Sequence, residues 1–318
     1  MLRYSLKRLL FAVPTLIAIS AIVFGILAIA PGDPMGEFAA NPAITEEVRE
    51  NIRRSLGLDQ PIPVRYIKWL FAFLSGDMGY SFTSRSPVFD LILQRLPTTL
   101  SIVGTAYFLG VAIAFPLGVL SAVKRYTGID RAISVVSLLG FSLPTFVTGL
   151  LFILIFSVQL DWLPSFYTST LEVTDLGTFI DWIKQSILPV AVLTLYQAAM
   201  LIRFVRSSVT EEIPREYVKT ARAKGLSGFR VLKDHIVRNA LIPVVTLIAL
   251  DIPSIFTGAL VTEQVFRVPG IGSLLIESIS RSDTPVVMAI TFIYAILIVI
   301  FNLLADLAYG FLDPRVRY

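Results

Sequence analysis

With 318 residues, 55% of them hydrophobic and only 16% charged, and a mean hydropathy of +0.76, the chain is too apolar for a soluble domain and reads as a polytopic membrane protein. It contains no cysteine, which excludes structural disulfides, thiolate metal sites and cysteine nucleophiles. The formal charge of +4 is a topology signal and calls for no nucleic-acid partner.

In chain order, six apolar stretches approach the roughly 20 residues that a membrane-spanning helix needs. They are Leu9–Ala30, Thr98–Val123, Ala132–Val158, Ile187–Ile202, Leu241–Thr262 and Val286–Ala308. The first follows Arg3, Lys7 and Arg8, but its apolar run is longer than that of a signal peptide and no small-x-small cleavage site precedes Asp33, so it reads as a retained span. A polar outer segment follows. Thr45 is placed to cap a helix in which Val48, Ile52 and Leu56 recur at fourfold spacing, with Glu46 and Glu47 in its first turn and Gly57 at its end. Asp59-Gln60-Pro61-Ile62-Pro63 predicts an extended turn, and Tyr66 to Leu74 an apolar helix lying on the membrane surface until Gly76 breaks it. The fourth span is short and gains length if Leu201 to Val209 continue it. Pro116, Pro144, Pro189, Pro243 and Pro253 fall in or at the ends of spans and predict kinks.

Cations set the orientation. With the N-terminus inside, the inner segments hold 17 Lys and Arg against six acids, whereas the outer segments hold 10 against 15. Retention of Lys and Arg on the cytoplasmic side therefore places both termini in the cytoplasm. The outer aromatics Trp162, Phe166, Tyr167 and Trp182 read first as an interfacial belt.

The inner insert Glu211 to Pro243 predicts two short helices meeting at a glycine. Pro214 suits a first turn, Glu211, Glu212 and Glu216 the positive end, and Lys219, Arg222 and Lys224 the negative end. Gly225 is expected in the left-handed conformation, with Ser227 capping a second helix and Leu226 stapled to Val231. Tyr217, Val218 and Ala221 share one face of the first helix; Val231, Leu232, His235 and Ile236 share one face of the second. Those faces need a surface to pack on.

Catalytic chemistry is scarce. No Gly is followed by Lys, so there is no phosphate-binding P-loop, and the single histidine, His235, forms no metal or catalytic cluster with another and reads as a surface residue. Only Asp251 and Asp306 are ionisable within spans. Asp306 lies near an inner end and reaches the interface. Asp251, two residues before Pro253, reads equally as a group on a solute path and as a bundle-facing hydrogen-bonded residue.

Lys219-Thr220-Ala221 followed after three residues by Gly225 resembles the EAA loop of binding-protein-dependent ABC importer permeases, with Lys219 in place of the acidic first position. APGDP (30–34), LGLDQPIPVRY (56–66), GDMGYSF (76–82), QRLPTTL (94–100), SLPTF (142–146), TARAKGLS (220–227), EQVFRVPGIG (263–272) and LDPRVRY (312–318) are similar, in family order, to the dipeptide/oligopeptide/nickel permease group, and the short basic start and large loop after the first span resemble its B-type rather than its C-type member. The resemblance implies an all-α integral membrane protein with the six helices of the type I importer fold in a prokaryotic cell membrane. It divides the chain into 1–97 (first helix and outer segment), a 98–309 permease core with a coupling loop near 203–240, and a tail 310–318. The implied partners are a C-type sister permease, two cytoplasmic ATPases that bind ATP and magnesium, an extracytoplasmic solute-binding protein and the lipid bilayer; no cofactor or metal is implied in this chain itself.

The implied mechanism is alternating access without chemistry in this chain. Glu216, Tyr217, Lys219, Thr220, Ala221, Arg222, Lys224, Gly225, Leu226 and Ser227 form the expected ATPase-coupling site, and Asp251 and Pro253 the candidate path. Residues 31–97 are expected to guide docking or gate the outer mouth. The cargo reads as di- or oligopeptide, with nickel, glutathione or oligosaccharide as alternatives on the same machine and a proton-coupled carrier using Asp251 as the rival of another class.

Overall fold

A computed structural model describes residues 2–29, 45, 47, 50, 54, 59–169, 171, 174–257 and 259–312. Every regular element among them is helical, and the one β-type pairing is an isolated bridge between Tyr80 and Pro87. Val48, Ile52 and Leu56 of the first helix expected after the first span, the APGDP stretch, most of LDPRVRY and the side chain of Asp306 lie outside the described residues.

Five helices are long and apolar enough to cross a membrane, and a bent pair makes a sixth. They are α1 (Leu2–Ile29), the helix here called α3 (Val88–Val123), the pair α4 (Gly128–Ser142) and α5 (Thr145–Phe152, continued by a π-helical turn Ile153–Gln159), α6 (Leu176–Glu212), the run Gly228–Phe256, and the final Thr284–Leu312. The helix α2 is Ile62–Leu74.

The third span departs from the sequence reading. The kink expected at Pro144 is present but larger than a simple kink: the span from Ala132 to Val158 is a pair of helices bent by 103° at Leu143-Pro144. Leu143 is extended, as a residue before proline prefers, and Pro144 then caps α5 without an N–H to offer the previous turn. The fourth span is longer than its apolar core. Asp175 caps it, with Thr178 returning a bond to the cap, and the helix runs unbroken past Val209 to Glu212. At 37 residues it is about 56 Å long, well beyond a bilayer core of roughly 30 Å. Pro63, expected in an extended turn, instead sits in the first turn of α2, where a missing N–H costs nothing.

The described chain falls into two compact units. One comprises Thr98–Ser273 and the residues from Phe301 onward. In it α6 is the central post, with Ala198, Leu201 and Ile202 buried against Ala114 of α3. Close approach depends on a small residue: a Cβ at Gly118 would lie 2.7 Å from Val205 Cβ and 3.0 Å from the Ile202 carbonyl.

The other unit comprises Leu2–Pro97 and Leu274–Ile300. Here Trp69 and Phe73 of α2 pack on Phe292, and Tyr66 packs edge-on against Phe24. Tyr66 Oη also donates to the Ile17 carbonyl at 3.1 Å. One face of α2 is therefore held by spans, while Ile67, Phe71 and Leu74 remain exposed. In the same unit the Asp283 carboxylate accepts bonds from Ser81 Oγ and from the Phe82 and Thr83 N–H groups, which ties the GDMGYSF turn to the start of the last helix.

Candidate coupling hairpin

The insert Glu211 to Pro243 is built from the end of α6 onward. Glu211 and Glu212 are the last residues of α6 and so stand at a negative helix end, contrary to their expected place at the start of the hairpin helix. Pro214 lies in the turn that follows, and Arg215, in extended conformation, precedes α7 (Glu216–Ala223). Glu216 alone supplies the acidic first turn, and Arg222 the basic last turn.

The stop at Gly225 is a Schellman motif. Gly225 has φ +77°, its N–H donates to the Arg222 carbonyl at 2.9 Å, and the Leu226 N–H reaches back to the Ala221 carbonyl at 3.4 Å. Ser227 then caps α8 (Gly228–Val231) by accepting from the Arg230 N–H. The second helix is not short. It passes through a π-helical stretch, Leu232–Val237, into α9 (Arg238–Asp251), so the hairpin's second arm is the beginning of the fifth span. His235 lies half-buried in that π-helical stretch.

The apolar faces find their surface within this chain. Val218 is 0% exposed and is buried with Ala221, Val231 and Ile236 against Ala122, Val205, Val209, Ala240 and Val244. Leu226 and Leu232 pack on the same core. Burying Val218, Val231 and Ile236 contributes about 1.5–3 kcal/mol each, which holds the hairpin on the spans as one body. Tyr217 adds a polar tie: its Oη donates to the Glu212 carboxylate, and burial together with that bond pushes its pKa up to about 12.

The expected coupling residues therefore divide. Ala221 and Leu226 face inward, whereas Glu216, Tyr217, Lys219, Thr220, Arg222, Lys224, Gly225 and Ser227 are exposed. The exposed Glu216–Lys219 pair at 2.7 Å contributes little to stability. Arg222, Lys224 and Arg230 have no carboxylate partner among the described residues, and Phe229, which the sequence reading passed over, is 75% exposed beside them. The presented surface is rich in cations, with Phe229 and Tyr217 as its exposed aromatics.

The candidate path residues mark a break. α9 ends at Asp251, Ile252 is a turn, and Pro253 opens the short α10 (Pro253–Thr257). Asp251 Oδ2 accepts from Gln197 Nε2 of α6 at 2.8 Å, Ser254 Oγ donates to the Asp251 carbonyl at 2.6 Å, and Tyr107 Oη of α3 donates to the Ile248 carbonyl at 2.7 Å. Three spans thus meet at a polar cluster within the apolar bundle.

Two further buried carboxylates escaped the sequence reading because their partners are distant in sequence. Asp130, 4% exposed, accepts from Ser121 Oγ (2.6 Å), Tyr126 N–H (2.8 Å), Arg206 Nε (2.8 Å) and Arg206 Nη2 (3.0 Å). Glu263 of α11 (Leu260–Phe266), 1% exposed, accepts from Thr99 Oγ1 at 3.0 Å and the Ser273 N–H at 2.8 Å. It gives the EQVFRVPGIG motif a physical reason: a Cβ on Gly270 would lie 2.3 Å from that carboxylate.

The family of binding-protein-dependent transport system inner membrane components matches residues 114–318, and its N-terminal membrane-component family matches residues 1–103. The chain belongs to this transport family. As an inner-membrane component of such a system it is a multi-pass membrane protein of a permease family, not of a catalytic one. Similar proteins include the oligopeptide transport system permease protein AppB of Bacillus subtilis, 41% identical over 319 residues with both chains covered in full. The dipeptide transport system permease protein DppB of Escherichia coli K12 is 35% identical over 337 residues, covering 100% of this chain and 99% of that one. A chain in the crystal structure of an amino acid ABC transporter with histidines superposes with a TM-score of 0.53 at 16% identity, covering 70% of this permease and 94% of its own length, a likeness of fold alone. The fold is that of a type I ABC importer permease.

Proposed function

We propose that this permease forms half of the translocation path of an ATP-driven importer of di- and oligopeptides, with the cationic face of the coupling hairpin as the contact for a cytoplasmic ATPase. The carrying observation is the hairpin's construction. Its apolar face is consumed by the permease's own spans, its turn is fixed by a Schellman motif and a serine cap, and what it offers outward is charge. An element held in that way transmits a push as a rigid body. The full-length similarity to permeases named for oligopeptides and dipeptides supports the cargo class.

In this reading ATP and magnesium are bound by two ATPase subunits. A C-type sister permease supplies the other half of the path, and a solute-binding protein delivers cargo to the outer loops. The Lys/Arg distribution supports cytoplasmic termini. Asp251 and Pro253 supply the break at which the fifth span lines or gates the path, while 98–309 acts as the permease core.

The test is purification through a tag on this permease. ATPase subunits are expected to co-purify, and reversing the patch with Arg222→Glu and Lys224→Glu is expected to lose them while membrane insertion persists. A stable permease without any ATPase, or ATPase retention unaffected by charge reversal, would overturn the coupling assignment. Uptake of dipeptides by the reconstituted complex, with nickel, glutathione and oligosaccharides as competitors, tests the cargo.

A further inference from the structure

A cavity of about 740 Å³ opens within the first unit, between α4, α6 and α9. Its volume falls in the roughly 300–1,000 Å³ range of small-molecule sites. Arg203, Arg206, Ser134, Ser207, Phe141 and Leu247 are among its lining residues, and no carboxylate is. It lies toward the inner end of α6, beyond the Gln197–Asp251 bond, and Leu247 places it one helical turn from Asp251.

The two arginines are held differently. Arg206 spends its Nε and Nη2 donors on Asp130, which also accepts from Ser121, Ser134 and the Tyr126 N–H. Its charge is neutralised and its position fixed. Arg203 has no carboxylate partner among the described residues; its guanidinium carbon lies 5.7 Å from the centre of the Phe141 ring. A ring face steadies a guanidinium without consuming its in-plane N–H donors. Ser134 gives its hydroxyl hydrogen to Asp130 at 3.5 Å and Ser207 gives its own to Glu211 at 3.2 Å, so the donors left for a ligand are those of the arginines. The result is one uncompensated positive charge with a planar fork of donors, backed by apolar wall from Phe141, Phe204 and Leu247.

We propose that this cavity is an oxyanion subsite on the inner half of the path, in which Arg203 takes the terminal carboxylate of a peptide in transit. A bidentate guanidinium–carboxylate pair matches that terminus in shape and charge, and the apolar wall accommodates the adjoining side chain. The proposal rests on the peptide reading above. A lipid phosphate shares the oxyanion chemistry and is the source the experiment must separate from cargo.

The experiment uses the complete complex in phosphatidylcholine nanodiscs without nucleotide or binding protein, with radiolabelled tri-alanine and tri-alanine amide as probes. Tri-alanine is expected to bind at least tenfold more tightly than its amide. Arg203→Gln should bring the acid down to the level of the amide, and Arg203→Lys should restore part of the difference. Equal binding of acid and amide to the unaltered complex, or an undiminished preference in Arg203→Gln, would overturn the subsite. So would loss of the acid's binding when phosphatidylglycerol is added, which assigns the cavity to lipid, or loss of the sister permease from the Arg203→Gln complex, which makes Arg203 a subunit contact. ATP-dependent tri-alanine uptake by the unaltered complex with its binding protein is measured in parallel. Absent uptake defeats the peptide reading itself, whereas normal uptake with equal acid and amide binding defeats only the subsite.

Discussion

Gly225→Ala isolates the conformational term in the hairpin. A Cβ at this position meets nothing within 4 Å, so the substitution introduces no clash, yet φ is +77°, where an L-residue is strained by about 1–2 kcal/mol. Against this stand Val218, Val231 and Ile236, whose burial amounts to roughly 5–9 kcal/mol in total as an upper estimate. The strained hairpin therefore stays docked but opens more often, by a factor of roughly 5–30. The chain's lack of cysteine makes this measurable. A single Ala221→Cys, at a position 4% exposed, reports opening through its rate of maleimide labelling in membranes. The rate is expected to rise about 5–30-fold in Gly225→Ala, where strain alone shifts the opening equilibrium. Gly225→Asn should raise it less, because asparagine tolerates the left-handed region. An unchanged rate would refute the conformational argument; labelling as complete as in unfolded chain would refute the estimate that burial dominates.

Three other outcomes follow from the hydrogen-bonded carboxylates. Asp130→Ala strips Arg206 of its partner and is expected to cost roughly 2–4 kcal/mol, below the full value for a buried pair because the Arg206 side chain stays 30% exposed. Thermal unfolding of the complex in detergent checks this, with Asp130→Asn losing less. Gly270→Ala drives a methyl into the Glu263 carboxylate and should lower the yield of monodisperse complex; adding Glu263→Ala should recover part of it, since the clash is with that side chain. Asp251→Asn keeps an oxygen for Gln197 Nε2, so uptake should stay within about tenfold of the parent, given ~1 kcal/mol for one hydrogen bond. Uptake should also persist when the proton gradient is collapsed with ATP maintained, and cessation there would favour a proton-coupled carrier.

Where elements are specified by neighbours in sequence, the chain could be read directly. The apolar runs are long enough to identify spans from hydropathy alone, because an unsatisfied backbone in hydrocarbon leaves a helix as the available form. Gly225 and Ser227 announced the turn between the hairpin arms, since a left-handed stop and a serine cap are local chemistry. The order of motifs along the chain was likewise a property of sequence.

Tertiary structure decided what those elements face. The hairpin's apolar residues looked like a surface awaiting a partner, but they are spent on Val205, Val209 and Ala122, and only folding could bring these together. The outward face thereby became the cationic one, with Phe229 at its edge. The passage of the second arm into the fifth span, with no break between them, was likewise not legible from local pattern. Asp130 with Arg206 and Glu263 with Thr99 are separated by 76 and 164 residues. A buried charge must find donors wherever the fold supplies them, and no local spacing encodes a partner that far along the chain.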